Sequence, residues 1–182
     1  MHRRLGLVLS FLVLASSVFG FVRPSEAAKP EDAFAGKIVI TKNRMPMRFA
    51  SPGAFTAALQ KAKIDKIWPT EEKGETGKWN IEYIAFFKSP LNDSEIQVKF
   101  FDITAGEKKY IAGDPQYTRE KGSRIFGASI ELAKPEFDVR KHYMMTVETR
   151  SSVIASTTFW LLGKGETHSG KVEFSDADAK AK

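Results

Sequence analysis

The stretch KFFDITAGEKKYIAGD, Lys99 to Asp114, has one carboxylate on each arm, Asp102 and Asp114, of a glycine-containing turn that itself holds Glu107. Two acids facing each other across roughly 5 to 9.5 Å are what glycoside hydrolysis needs. The local context argues for another use. Asp102 lies between Phe101 and Ile103, two residues before the turn, and Asp114 precedes Pro115, a dipeptide that favours starting a turn. Ala105 and Gly106 supply a tight reversal. Each acid therefore has a structural job, and no histidine, cysteine or further acid is tied to either by spacing.

Other chemistry is sparse. The chain has no cysteine and no Gly-x-Ser-x-Gly elbow, so nucleophilic catalysis lacks its usual parts. His142 falls in the phase opposite Tyr143 and Met145, which turns it away from a core. His168, with Glu166 nearby, lies in GKGETHSGK, which reads as a loop. Two distant histidines do not make a metal site, which needs three or four converging ligands, and no metal or cofactor is expected. The glycines and lysines of GKGETHSGK lack the spacing of a phosphate loop, and no helix follows to supply amides. DADAK, from Asp176, lacks the ligand spacing of a calcium loop. Asn92-Asp93-Ser94 fits a glycosylation sequon and equally well a turn, the reading preferred here. No catalytic set emerges, and the protein is not expected to be an enzyme.

Basic side chains do gather along the chain: Lys108 and Lys109 at the hairpin tip, Arg119, Lys121 and Arg124 around the next loop, and Arg140 and Lys141 beyond. Together they are candidates to contact an anionic partner, although such runs usually mark a solvated surface.

The elements that would position these residues are mostly strands. KIVITK and RMPMRF read as the first two, the second confined to an edge or bulge by Pro46. One helix is expected over residues 52–63, with Ser51 as N-cap, Pro52 at the first position and an apolar stripe of Phe55, Ala58, Leu59 and Ala62. Alternation then marks WNIEYIAFF, SEIQVKFFDI, KKYIA, RIFGASIEL, HYMMTVET and VIASTTFWLL as strands. KSPLND and GDPQYTREKGS are expected as a turn and a loop. The apolar face switches between Phe100 and Phe101, which suggests a bulge or a crossing between sheets. Val172 and Phe174 could add a short last strand.

About eight strands with regular turn signals predict a single all-β, antiparallel sandwich with one short helix. FDVRKHYMMTVETRSSVIASTTFWL, over roughly the last third of the chain, resembles the final two strands of immunoglobulin-like and fibronectin-type sandwiches. That resemblance implies that Tyr143 sits where those folds often place a corner tyrosine.

Two of these strands are apolar on both faces. Ile84 and Phe86 add a second face to residues 79–87, and Ile154, Trp160 and Leu162 add one to residues 153–162. A sandwich strand normally buries one face, so these five residues are the candidate binding face. The helix over 52–63 is the simpler cover; a partner or an aromatic platform for sugar is the functional alternative.

The N-terminus bounds where this happens. Arg3 and Arg4, an uncharged apolar run from Leu5 to Val22, and Ser25-Glu26-Ala27 have the layout of a secretory signal peptide over 1–27. Residues 28–36 then read as a linker, 37–174 as the sandwich and 175–182 as a polar tail. Cleavage after Ala27 leaves 155 of the 182 residues and, removing three arginines and one glutamate, turns a formal charge of +6 into +4. An exported domain without cysteine points to a bacterial periplasmic or secreted protein. The expected function is a non-enzymatic binding or structural module, a protein-interaction subunit or accessory of a cell-envelope assembly. The alternative is a polysaccharide-binding module using aromatics and basic loops, and no nucleic-acid partner is expected.

Overall fold

The computed structural model describes residues 29–70, 77–118, 120–150 and 152–164. The expected signal peptide, the Val172–Phe174 strand and the 175–182 tail lie outside these residues, as do Arg119, Glu166 and His168. Among the described residues no helix is long and apolar enough to cross a membrane.

The elements run α1 (Pro30–Ala33), β1 (Ile38–Thr41), α2 (Pro52–Ala62), β2 (Lys66–Ile67), β3 (Lys78–Leu91), β4 (Glu95–Asp102), β5 (Lys109–Tyr117), β6 (Ser123–Ala133), β7 (Lys141–Glu148) and β8 (Val153–Leu161). The described strands form two sheets, ordered β1-β3-β6 and β2-β8-β7-β4-β5. All pairings are antiparallel except the two-residue β2 against β8. The chain is an all-β sandwich, as the period-two alternation predicts.

Between the sheets, one face of β3 (Trp79, Ile81, Tyr83, Ala85, Phe87) meets the inner faces of β4, β7 and β8 (Val98, Phe100, Tyr143, Met145, Phe159, Leu161), all buried. The Trp79 indole is satisfied by donating from Nε1 to the Leu162 carbonyl, 3.1 Å away. The corner tyrosine forms: the Asp138 N–H donates to the Tyr143 hydroxyl at 2.8 Å. That bond ties the connection before β7 to its first turn of core.

The other face of β3 is covered by α2. Phe55 and Leu59 pack on Val39, Ile84 and Phe86, joined at the rim by Phe34, Met45, Phe49 and Ile125. β1 is buried along its whole length because it lies between these two layers. Helix α2 begins as expected, with the Ser51 side chain accepting from the Ala54 N–H at 3.2 Å and proline at the first position. Ser51→Ala is expected to lower stability by about 1 kcal/mol, read as a shift of the urea midpoint with unchanged slope.

Several expectations need correcting. RMPMRF forms no strand; its alternation serves the α2 layer, where Met45 and Phe49 reach the apolar rim. The 28–36 segment contains a helical turn, α1, and its Phe34 lies 5.3 Å from Phe86. β3 continues through Pro90 to Leu91, with a register irregularity between Phe86 and Leu91. Asp114-Pro115 starts no turn. Both lie within β5, the last strand of its sheet, where a missing N–H costs no ladder bond on the open side. The bulge is found where the face switches: Phe100 pairs Ala112 while Phe101 pairs Tyr110, leaving Ile111 as the extra residue on β5. β4 itself stays in register with β7 throughout, so it does not cross between sheets.

Candidate binding face

The five residues of the candidate face separate onto different parts of the sandwich. Ile84 and Phe86 lie beneath α2 and are fully buried. Leu162, one residue beyond β8, is also buried, its N–H donating to the Ile67 carbonyl at 2.9 Å. Trp160 is half-buried on the outer side of the five-stranded sheet, opposite to α2, whereas Ile154, the extra residue where the β7–β8 register slips, is half-buried against the core between the sheets.

The basic candidates separate too. Lys108 and Lys109 stand at one end of β5 and Lys121 beyond the other, a strand length apart. Arg124 is a structural clamp. Its Nη1 meets Asp32 at 2.8 Å, Nη2 reaches the Glu31 carbonyl and Nε the Phe87 carbonyl, both at 3.2 Å, fixing α1 to β3. Among the described residues these candidates form no single cationic patch.

The acids are likewise apart. Asp102 pairs across from Lys109, and Asp114 across from Val98, four residues earlier on β4. At about 3.3 Å per residue their backbones are roughly 13 Å apart, beyond the span of a hydrolytic carboxylate pair. Asp102 accepts from the Thr104 N–H at 2.9 Å and pairs with Lys141 at 3.1 Å. Burial would raise its pKa, but Thr104 and Lys141 outweigh that and hold it below the ordinary 3.8. Among the described residues no group of three or more His, Cys, Asp or Glu is placed to hold a metal ion.

What the topology does assemble is a face no candidate set had gathered. Strand order β8-β7-β4-β5 lines up outward-pointing residues across four strands. Trp160 is opposite His142, and Thr158 is opposite Met144. Met144 is opposite Phe101, and Phe101 opposite Tyr110. The Trp160 and His142 rings stack at 4.6 Å, only 3° from parallel. Phe101 meets Tyr110 edge-on at 5.9 Å. Tyr110 is 56% exposed, and its hydroxyl is drawn over Gly113, where a Cβ would come within 2.9 Å of it.

Beyond this apolar row the same face turns polar. Lys99 and Glu148 form a 2.6 Å ion pair, with the Thr146 hydroxyl donating to Glu148 at 2.9 Å. An open cleft of about 660 Å³ follows, lined by Gln97, Lys99, Glu148, Arg150 and Val153 among others. Both helices lie on the other sheet. Phe101, Tyr110 and Met144 could have been found from the sequence only by asking which outward-phase positions are apolar in strands that turn out to be neighbours.

These groups give the protein a pH dependence. Burial would raise the Glu148 pKa, but Lys99 and Thr146 hold it below the ordinary 4.5. Burial depresses the His142 pKa below 6.5. In each case the unfolded chain binds the proton first as pH falls. Stability is therefore expected to decline in two stages on acidification, first from about 6.5 through His142, then from about 4.5 through Glu148 and Asp102. The urea midpoint measured against pH checks this; His142→Asn should flatten the first stage and leave the second.

No family model matches the chain, and no curated protein does. Two solved structures of a β-glucosidase from Kluyveromyces marxianus, one Se-Met labelled and one in complex with glucose, align at 14% identity. The alignment covers 53% of this chain and 14% of theirs, with a TM-score of 0.29. The chain thus spans about a seventh of that enzyme, and a likeness at this score carries no argument about its own activity.

Proposed function

We propose that this is an exported, non-enzymatic binding module that works as a protein-interaction subunit or accessory of a bacterial cell envelope. The observation that carries the reading is the asymmetry of the two sheets. One outer face is roofed by α2, whereas the other bears the row Phe101, Met144, Tyr110 and Trp160 with no described helix laid over it. Apolar and aromatic side chains set beside a polar rim are the composition of a protein interface.

Ring geometry favours a protein over a glycan. A sugar stacks on a ring lying flat with its face free. Here the Trp160 ring already gives one face to His142, and Phe101 gives its edge contact to Tyr110. The test is to immobilise the purified domain and challenge it separately with envelope proteins and with peptidoglycan and other envelope glycans. Saturable retention of a discrete protein, without a change in tryptophan fluorescence on adding glycan, is expected. Glycan binding with no retained protein would overturn the reading.

A further inference from the structure

The three-stranded sheet ends at β6, which pairs with β3 on one side and with no described strand on the other. Eleven residues long, it runs in unbroken register from Ala133 opposite Lys78 to Ile125 opposite Phe86. The corresponding edge of the other sheet, β5, carries a bulge at Ile111, a proline at 115 and a lysine at 109, devices that blunt an edge against pairing. β6 has no proline and no bulge over that run. Its two charged residues are engaged elsewhere, Arg124 with Asp32 and Glu131 with Lys78.

The interior beside this edge is incomplete. Three strands oppose five, and the far lateral edge is closed where Lys37 bridges Ser156. On the open side the inward residues Phe126, Ala128 and Ile130 of β6, and Ile111 and Ala112 of β5, are only half-buried. Asp114 shares the inward phase of β5 with Ala112 and accepts a hydrogen bond from the Gln116 side-chain amide. The Tyr83 hydroxyl, fully buried on β3 across from Ala128, has no hydrogen-bond partner among the described residues. Burial first, and then the charge of Asp114, hold the proton on Tyr83 well above the ordinary range.

We propose that the free edge of β6 accepts one extended strand of a partner protein, with apolar residues alternating on its inner side and a lysine or arginine among them facing Asp114. Main-chain bonds to β6 supply affinity and the inward side chains supply selection, as in other strand additions. A cation there meets the carboxylate, and the apolar neighbours complete the half-covered interior. A second copy of this chain fits poorly, because pairing β6 with β6 about a two-fold axis would drive the longer sheets, at β5, into one another. The site lies on the sheet opposite the open face, so each can succeed or fail without the other.

The probes are two acetylated, amidated peptides, Thr-Val-Thr-Lys-Thr-Val-Thr and the same sequence with glutamate replacing lysine. Amide hydrogen exchange of the purified chain is followed by NMR. The lysine peptide is expected to slow exchange along β6 and not along β5, and to bind at least about tenfold more tightly than the glutamate peptide, since like charges at an interface cost more than that. Asp114→Asn should erase the preference. Protection elsewhere, equal binding of the two peptides, or no protection of β6 by either at millimolar concentration overturns the proposal. The comparison of peptides on the native chain stands whether or not the variant folds.

Discussion

Phe86→Ala is expected to lower the unfolding free energy by about 3–5 kcal/mol, the cost of emptying a phenylalanine site that cannot collapse. Phe86 is fully buried in the layer between α2 and β3. Its ring lies 5.3 Å from Phe34 and 6.4 Å from Phe55. Removing it takes the apolar floor from both helices at once, against a total stability of only roughly 5–15 kcal/mol for an ordinary domain. Phe101→Ala is the matched control. Phe101 is half-buried and its ring partner is Tyr110, so its loss should cost roughly 1 kcal/mol. Urea unfolding of both variants decides the matter. Equal losses would mean that the two outer faces are not covered and open as described.

The second large effect is on binding. Phe101→Ser combined with Met144→Ser removes a directly paired couple from the centre of the open face. Interface energy concentrates in a few central apolar anchors, each worth about 2 kcal/mol or more, so retention of the partner should weaken roughly a hundredfold or further. The fold should persist, because both side chains point away from the core that Phe100 and Met145 fill. Circular dichroism checks the fold. Gln60→Ala on the exposed surface of α2 should bind like the native protein. Native binding by the double variant would move the interaction off this face.

How much of this was legible in the sequence depends on range. Alternation at period two is local, so β3, β4, β6, β7 and β8 could be read directly. So could α2, with its serine cap, its proline and the Phe55–Leu59 stripe. The two-faced character of β3 correctly implied a cover, and α2 supplies it. Asp114-Pro115 misled because a proline that breaks a central strand is harmless on an edge, and which strand is an edge is a property of the whole sheet. The basic residues looked like one patch because they are close in sequence, yet β5 carries them to opposite ends. Leu162 looked outward by parity, but the strand stops at Leu161 and the chain turns inward. The open face was hidden for the same reason. Phe101, Met144 and Trp160 become neighbours only through the order β8-β7-β4-β5, which no local pattern states.

The most direct test of the central claim is site-specific photo-crosslinking in the native envelope. A photoreactive amino acid is placed singly at Thr158, at Met144 and at Gln60, and the cells are irradiated. The account predicts the same discrete protein adduct from positions 158 and 144 and none from position 60 on α2. Adducts from position 60 alone, or none from the five-stranded sheet, would contradict it.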